Sequence, residues 1–106
     1  MEYVKINKRT FRAYLKKLLR DGITTIKAEL VYEFDGRVDG LVYKHAIKQI
    51  PVEKIIEELE YRTTIEYNLE KDRIEVFNSV VAYNIIDERF DELKKWIKKK
   101  YVINSI

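Results

Sequence analysis

The cations of one predicted helix are the side chains whose type and spacing point most clearly to chemistry in this chain. Between Lys8 and Arg20 the sequence has six Lys or Arg residues and no Asp or Glu. At roughly 100° per residue, four of these cations fall on one line opposite the apolar side of the helix: Arg9, Arg12, Lys16 and Arg20. This line is about 16 Å long at about 1.5 Å per residue. Together with Lys8, it predicts contacts with the phosphates of a nucleic acid.

Helix stability does not explain this distribution of charge. Lys8, Arg9 and Arg12 lie near the helix N-terminus, where each exposed cation opposes the helix dipole by roughly 0.3–1 kcal/mol. The one acidic neighbour, Asp21, follows the C-terminal end and gives no compensation there. An anionic partner would compensate these charges, and DNA or RNA is the partner that the pattern favours.

A second predicted helix, residues 51–61, offers a rival partner for these cations. Its outer side is acidic and carries Glu53, Glu57 and Glu60. If the two helices are neighbours in one chain or in a homodimer, these carboxylates can pair with Arg12 or Lys16. The same charged helices could instead bind the complementary surface of another protein. The alternative function is therefore a protein-interaction module or inhibitor, such as a virus- or plasmid-encoded antagonist of a host system.

The last predicted helix carries a second basic cluster, which extends from Lys94 to Lys100. Acids that begin at Asp87 precede these lysines, so the helix has the charge order that its own dipole favours. The cluster therefore needs no external partner by itself. If this helix and the first one share a face, Lys95 and Lys99 would extend the nucleic-acid-binding surface.

The sequence gives little indication of a catalytic or cofactor site. We therefore expect a binding protein without cofactor or metal rather than an enzyme. The chain has no Cys, one His (His45) and only three Gly, which exclude thiolate chemistry, multi-His metal sites and Gly-rich phosphate loops. A calcium-binding loop at Asp35 lacks the required ligands. A metal-dependent nuclease built on Asp35 and Asp39, with Glu29 and Glu33 on the same hairpin, is the weakest of three hypotheses.

Six aromatic residues in the predicted strands could stack on bases if they lay on an open sheet face. They are Tyr32, Phe34, Tyr43, Tyr67, Phe77 and Tyr83. The segment from Leu41 to Ala46 lacks the Gly-rich basic and aromatic run of an RNA-recognition strand. The pattern therefore favours ordinary packing for these side chains and for His45.

The elements that must position these residues follow from periodicity and turn signals. We predict helices at 7–22, at 51–61 and from Asp87 onward, with strands at 26–34, 41–50, 63–69 and 73–84 and a short one at 2–6. In the last helix, Phe90, Leu93, Trp96 or Ile97, and Tyr101 should face inward. Asn7 should cap the first helix and Gly22 should end it.

This order predicts an α+β fold with an antiparallel sheet of four or five strands and helices mainly on one face. If residues 2–6 pair, the first six elements form a ferredoxin-like βαββαβ order. A short echo between residues 24–30 and 63–69 suggests instead an internal hairpin-helix duplication.

The composition fits one domain over residues 1–106, with a net charge of +3 and an isoelectric point near 9.0. Enrichment in Glu and Lys with a single Gln is typical of hyperthermophilic proteins and favours an archaeal source, or a virus or plasmid of such a host. The sequence shows no membrane-spanning run and no signal-peptide pattern at its start. We therefore expect a cytoplasmic location, in its own cell or in a host cell.

Overall fold

The computed structural model describes residues 3–105, with side chains described up to Lys100. It is an α+β fold with three α-helices and one antiparallel sheet of six strands, which confirms the predicted class but exceeds the predicted number of strands. In chain order the elements are β1 (Tyr3–Lys5), α1 (Lys8–Arg20), β2 (Thr25–Asp35), β3 (Gly40–Pro51), α2 (Val52–Glu58), β4 (Thr64–Asn68), β5 (Arg73–Phe77), β6 (Val81–Ile85) and α3 (Asp91–Ser105). A short 3₁₀ turn (Glu88–Phe90) precedes α3.

The strands lie in the order β1-β4-β5-β6-β2-β3, and each neighbouring pair is antiparallel. The first six elements do follow the predicted βαββαβ order along the chain. However, β5 and β6 lie between β4 and β2 in the sheet, so the first four strands are not contiguous. The ferredoxin-like arrangement is therefore wrong, because two later strands occupy its centre.

The extra strand arises at Asn78, where the predicted strand 73–84 divides into β5 and β6. The side-chain oxygen of Asn78 accepts hydrogen bonds from the backbone N–H groups of Val80 (2.8 Å) and Val81 (3.0 Å). This local bonding closes a tight turn without Gly or Pro. β4, β5 and β6 thus form a three-stranded meander, so the second unit of the predicted hairpin-helix duplication has a third strand that the first unit lacks.

An irregularity in β2 changes the direction of its side chains. The pairing of β2 with both neighbours shifts between Leu30 and Tyr32. Val31 is an extra residue relative to β6, whereas two residues of β3, Lys44 and His45, lie opposite Val31. Leu30 is opposite the buried Tyr83, whereas Tyr32 is opposite Ala82 and so points to the other face. The predicted regular alternation up to Phe34 therefore fails after Leu30.

All three helices cover the same face of the sheet. Phe11 of α1, Ile55 of α2 and Leu93 of α3 belong to one buried cluster with side chains from the strands. Ile97 also faces this core, while Trp96 is about half exposed. The side chain of Tyr101, which was predicted to face inward, and residue Glu2 of the predicted first strand lie outside the described part.

The opposite face of the sheet is not covered by any element of residues 3–105, and we call it the open face. Antiparallel sheets commonly leave one face to solvent. No helix among the described residues is long and apolar enough to cross a membrane.

Candidate nucleic-acid interface

Both ends of α1 are fixed by the predicted capping residues. The side-chain oxygen of Asn7 accepts hydrogen bonds from the backbone N–H groups of Arg9 (2.8 Å) and Thr10 (3.3 Å). After Asp21, Gly22 adopts a positive φ of 84°, which glycine adopts without the strain of other residues. The limits predicted for the basic helix are thus confirmed.

The apolar side of α1 fixes its rotation about the helix axis. Phe11, Leu15 and Leu18 are buried against the sheet. The ring of Phe90 lies 6.0 Å from that of Phe11 and 5.4 Å from that of Tyr14. Because this side is anchored, the opposite side of α1 must face solvent.

The segment that precedes α3 ties both helices to the sheet. Tyr14 donates a hydrogen bond from its hydroxyl to the backbone carbonyl of Arg89 (2.5 Å). The buried carboxylate of Asp87 accepts from the backbone N–H groups of Arg89 (3.0 Å) and Lys27 (2.8 Å). Asp87, predicted to cap the last helix, caps the 3₁₀ turn that leads into it.

Three of the four predicted line cations are exposed: Arg9, Lys16 and Arg20. None of the three forms an ion pair with a residue that the structure describes. At about 100° per residue they point within roughly 40° of one another. The line predicted from the sequence therefore presents three cations to solvent in a common direction.

Arg12, the fourth cation, lies on the side of α1 that faces α2. Its guanidinium is 3.5 Å from the carboxylate of Glu60. Glu53 and Glu57 are exposed and pair with no cation within residues 3–105. The predicted pairing of the acidic helix with the basic one is thus limited to this single contact.

The remaining acid of α2, Glu58, turns toward the sheet and is half-buried. It accepts a hydrogen bond of 2.6 Å from the hydroxyl of Tyr83. Burial raises the pKa of the Glu58 carboxyl, although the bond from Tyr83 acts in the opposite direction. Burial also raises the pKa of the Tyr83 phenol. Glu58 is therefore unavailable to the cations of α1.

Lys8 and Lys17 flank the line and have neighbours of their own. Lys8 donates a hydrogen bond of 2.8 Å to the backbone carbonyl of Tyr61, which leaves its charge uncompensated. Lys17 lies 3.6 Å from the carboxylate of Glu92 at the start of α3. Lys8 can still attract phosphate, whereas the charge of Lys17 is balanced.

On α3, the lysines divide into a paired and an unpaired group. Lys94 and Lys98 lie 3.8 Å and 3.1 Å from the carboxylate of Asp72. Hydrogen bonds from Tyr67 and Lys98 hold the pKa of Asp72 below its ordinary value. Lys95 and Lys99 are exposed and have no acidic partner in the described part of the chain. The two lysines predicted to extend the interface are thus exposed and unpaired within the described residues, as is Lys100, whose ammonium lies 5.1 Å from the ring centroid of Trp96.

α1 and α3 lie side by side and share the face of the molecule opposite the open face. A groove between them is lined by Thr10, Ala13, Tyr14, Lys17, Arg20, Glu92, Leu93 and Trp96. Five of the unpaired cations of the two helices therefore form one surface, which we call the basic surface. It consists of Arg9, Lys16, Arg20, Lys95 and Lys99.

The six strand aromatics divide between the two faces of the sheet. Tyr67 and Tyr83 are buried beneath the helices, as expected for packing residues. Tyr32, Phe34 and Tyr43 lie on the open face together with Phe77, because of the irregularity at Val31. His45, expected to pack in the sheet, is exposed with φ of 49° and its ring stacks on Tyr43.

The carboxylates of the nuclease hypothesis do not converge. Glu29 accepts a hydrogen bond from Asn84 (2.9 Å), and Asp35 pairs with Arg37 (3.0 Å). Glu33 points to the helix-covered face, away from Glu29, because of the irregularity at Val31. Within residues 3–105, no three His, Cys, Asp or Glu side chains form a group that could hold a metal ion.

Comparison of the chain with protein-family models, with curated proteins and with solved structures finds no match. The function is therefore inferred from the charges and contacts described above.

Proposed function

We propose that this protein is a nucleic-acid-binding protein whose basic surface contacts the phosphate backbone. The observation that carries the proposal is the unpaired state of Arg9, Lys16 and Arg20 among the described residues, in a chain that has 18 acidic residues. Like charges aligned over about 16 Å repel one another unless a polyanion neutralises them. A duplex carries one negative charge per roughly 1.7 Å of its axis, so the line would span about half a helical turn.

The position of α1 favours backbone contacts over reading of base edges. A recognition helix must protrude to enter the major groove. α1 instead lies between α2 and α3 in one layer, with contacts to Glu60 on one side and Glu92 on the other. Binding should therefore depend on salt much more than on sequence.

A salt titration tests the proposal. Binding of a fluorescent duplex of about 20 base pairs, measured by anisotropy, should weaken steeply with salt, because each neutralised phosphate contributes roughly −0.9 to the log–log slope. Five contacts predict a slope of about −4 to −5. Salt-independent binding, or no binding of duplex or single strand at about 50 mM salt, would refute the proposal.

A protein partner is the second candidate function, and the unpaired acids of α2 favour it. Glu53 and Glu57 lie beside the basic surface, so the helix layer presents both signs of charge to a partner. Reversing the charge of one of these acids distinguishes the two candidate functions. Glu57→Lys should strengthen binding of nucleic acid but weaken binding of a protein with complementary charges.

A further inference from the structure

The groove between α1 and α3 continues into a cavity beside β1. Thr10 and Trp96 line both of them, so the two spaces are joined at the Trp96 indole. The groove has a volume of about 500 Å³ and the cavity has a volume of about 220 Å³. The groove alone falls within the range of roughly 300–1,000 Å³ found for ligand sites. We call the joined space the interhelical groove.

The floor of the interhelical groove is aromatic and apolar. The half-buried ring of Tyr14 packs on Phe90 with ring centroids 5.4 Å apart, and Leu93 beside it is buried. Trp96 is 48% exposed, and it is the single tryptophan of the chain. A large flat side chain that stays half exposed between two helices is available to stack on another flat group.

Cations flank this floor on both sides. Arg20 lines the groove on the side of α1. On α3, Lys99 follows Trp96 by three residues, which places it about 60° from the indole around the helix axis. Lys100 lines the cavity, and its ammonium lies 5.1 Å from the centroid of the indole ring. All three cations are exposed and form no ion pair with a described residue.

Free acidic groups do not oppose a polyanion along the lining of this groove. Among the described residues Glu92 is the one carboxylate that lines it, and the ammonium of Lys17 lies 3.6 Å from that carboxylate. An aromatic floor between cationic rims fits a ligand that has flat bases in its middle and phosphates at its margins.

We propose that the interhelical groove binds a single-stranded nucleic acid, with one base stacked on Trp96 and an adjoining phosphate held by Lys100. This site depends on the proposed function being correct, and it narrows the ligand from nucleic acids in general to single strands. A duplex keeps its bases stacked in its interior and therefore contacts only the cations of the basic surface. A single strand adds the contact with the indole and should bind more tightly.

Trp96 reports its own contact, because no other tryptophan contributes to the fluorescence. An unlabelled oligothymidylate of about 12 nucleotides, within the usual length of single-strand sites, should quench this fluorescence at low salt. A duplex of the same length should bind but quench much less, because its bases do not reach the indole. Saturating binding of the single strand without quenching would overturn the proposal.

The second test compares affinities measured by anisotropy. Trp96→Ala should weaken binding of the oligothymidylate about tenfold and leave duplex affinity unchanged, whereas Trp96→Phe, which keeps a ring, should retain most of the affinity. Tyr43→Ala is the matched control, since Tyr43 is 66% exposed but lies on the open face. Loss of single-strand affinity in Tyr43→Ala and not in Trp96→Ala would place the stacking on the open face and refute the groove. Thermal melts should show that each variant is folded.

The phosphate contact of Lys100 is tested by the salt dependence of single-strand binding. Lys100→Gln should reduce the log–log slope by about 0.7, the contribution of one phosphate of a single strand. Lys98→Gln is the matched control, because its ammonium lies 3.1 Å from the carboxylate of Asp72, and it should keep the wild-type slope. Equal slopes in the two variants would contradict the assigned role of Lys100.

Failure of this site and failure of the proposed function give different results. If neither duplex nor single strand binds at about 50 mM salt, the proposed function fails. If both bind with equal affinity and Trp96→Ala changes neither, the basic surface still binds phosphate and the groove is refuted. A preference for the single strand that is lost in Trp96→Ala, together with quenching in the wild type, supports the groove.

Discussion

A nitrogen of the Arg12 guanidinium lies 3.5 Å from a carboxylate oxygen of Glu60, and this is the single ion pair between α1 and the acids of residues 51–61 in the described part of the chain. The side chain of Arg12 is 32% exposed and that of Glu60 is 72% exposed. Exposed pairs of this kind contribute roughly 0–1 kcal/mol and are weakened by salt. The acidic helix therefore restrains Arg12 only loosely and forms no ion pair with the basic surface among the described residues.

Removal of this acid should improve binding. In Glu60→Gln, Arg12 becomes available to phosphate, so duplex affinity at low salt should rise several-fold and the salt slope should steepen by about 0.9. Unfolding free energy should change by less than about 1 kcal/mol. Glu53→Gln removes the same charge without touching Arg12 and should leave the slope unchanged. Equal slopes in the two variants would contradict this role of Glu60.

The position of the unpaired cations on the basic surface, and not only their charge, should determine the affinity for a duplex. Lys16→Ala should lower duplex affinity and reduce the salt slope by about 0.9. Lys27→Ala is the matched control, because Lys27 is exposed but lies on the open face. It should keep the wild-type slope in the same anisotropy titration. If both variants lose affinity equally, binding reflects net charge and not the basic surface.

Phe90 should be essential for the packing of α1 against the start of α3. Its ring is buried between Phe11 and Tyr14. Phe90→Ala should lower the free energy of unfolding by about 3–5 kcal/mol, as measured by urea denaturation. In Trp96→Ala the loss should be below about 1 kcal/mol, because the half-exposed indole leaves little cavity. Comparable losses would contradict the assigned packing.

Glu58 should make stability depend on pH in the direction opposite to most carboxylates. Burial raises its folded-state pKa above 4.5. As pH rises from 4.5, the unfolded state loses this proton first, so the contribution of Glu58 to stability falls until the folded state also ionises. Glu58→Gln keeps an acceptor for Tyr83 and should remove this fall. The free energy of unfolding of Glu58→Gln, relative to that of the wild type, should therefore increase from about pH 4 to neutrality.

Denaturation of both proteins across this pH range checks the prediction, with Glu57→Gln as the exposed control on the same helix. A stability difference between wild type and Glu58→Gln that stays constant with pH would contradict it.

The basic helix could be predicted in full because its signals are local. Asn7, Gly22 and the apolar spacing of Phe11, Leu15 and Leu18 specify its ends and its buried side. The direction of its cations followed from the same periodicity. The sequence offered Glu60 only as one of three candidate acids for Arg12 or Lys16, because the contact between Arg12 and Glu60 joins residues 48 positions apart.

The sheet was harder to predict because single residues decide its organisation. The turn at Asn78 lacks Gly and Pro, so the sequence predicts a single strand where the structure has β5 and β6. The extra residue Val31 reverses the faces of Tyr32 and Phe34 without any change in the alternating pattern. The exposure of Tyr43 and Phe34 on the open face was missed for this reason. The aromatic type of these residues was the available signal, and it indicated packing in the core equally well.

The hydrogen-bonded segment at Asp87 and Arg89, which precedes α3, has a consequence for the rate at which a nucleic acid would bind. Hydrogen bonds from Lys27, Tyr14 and the turn itself hold α1 and α3 to one sheet, so the two rows of cations keep a fixed spacing before any encounter. A preorganised surface needs no slow rearrangement after collision. Association should therefore follow a single phase whose rate constant approaches roughly 10⁸ M⁻¹s⁻¹ at low salt and falls as ions screen the attraction.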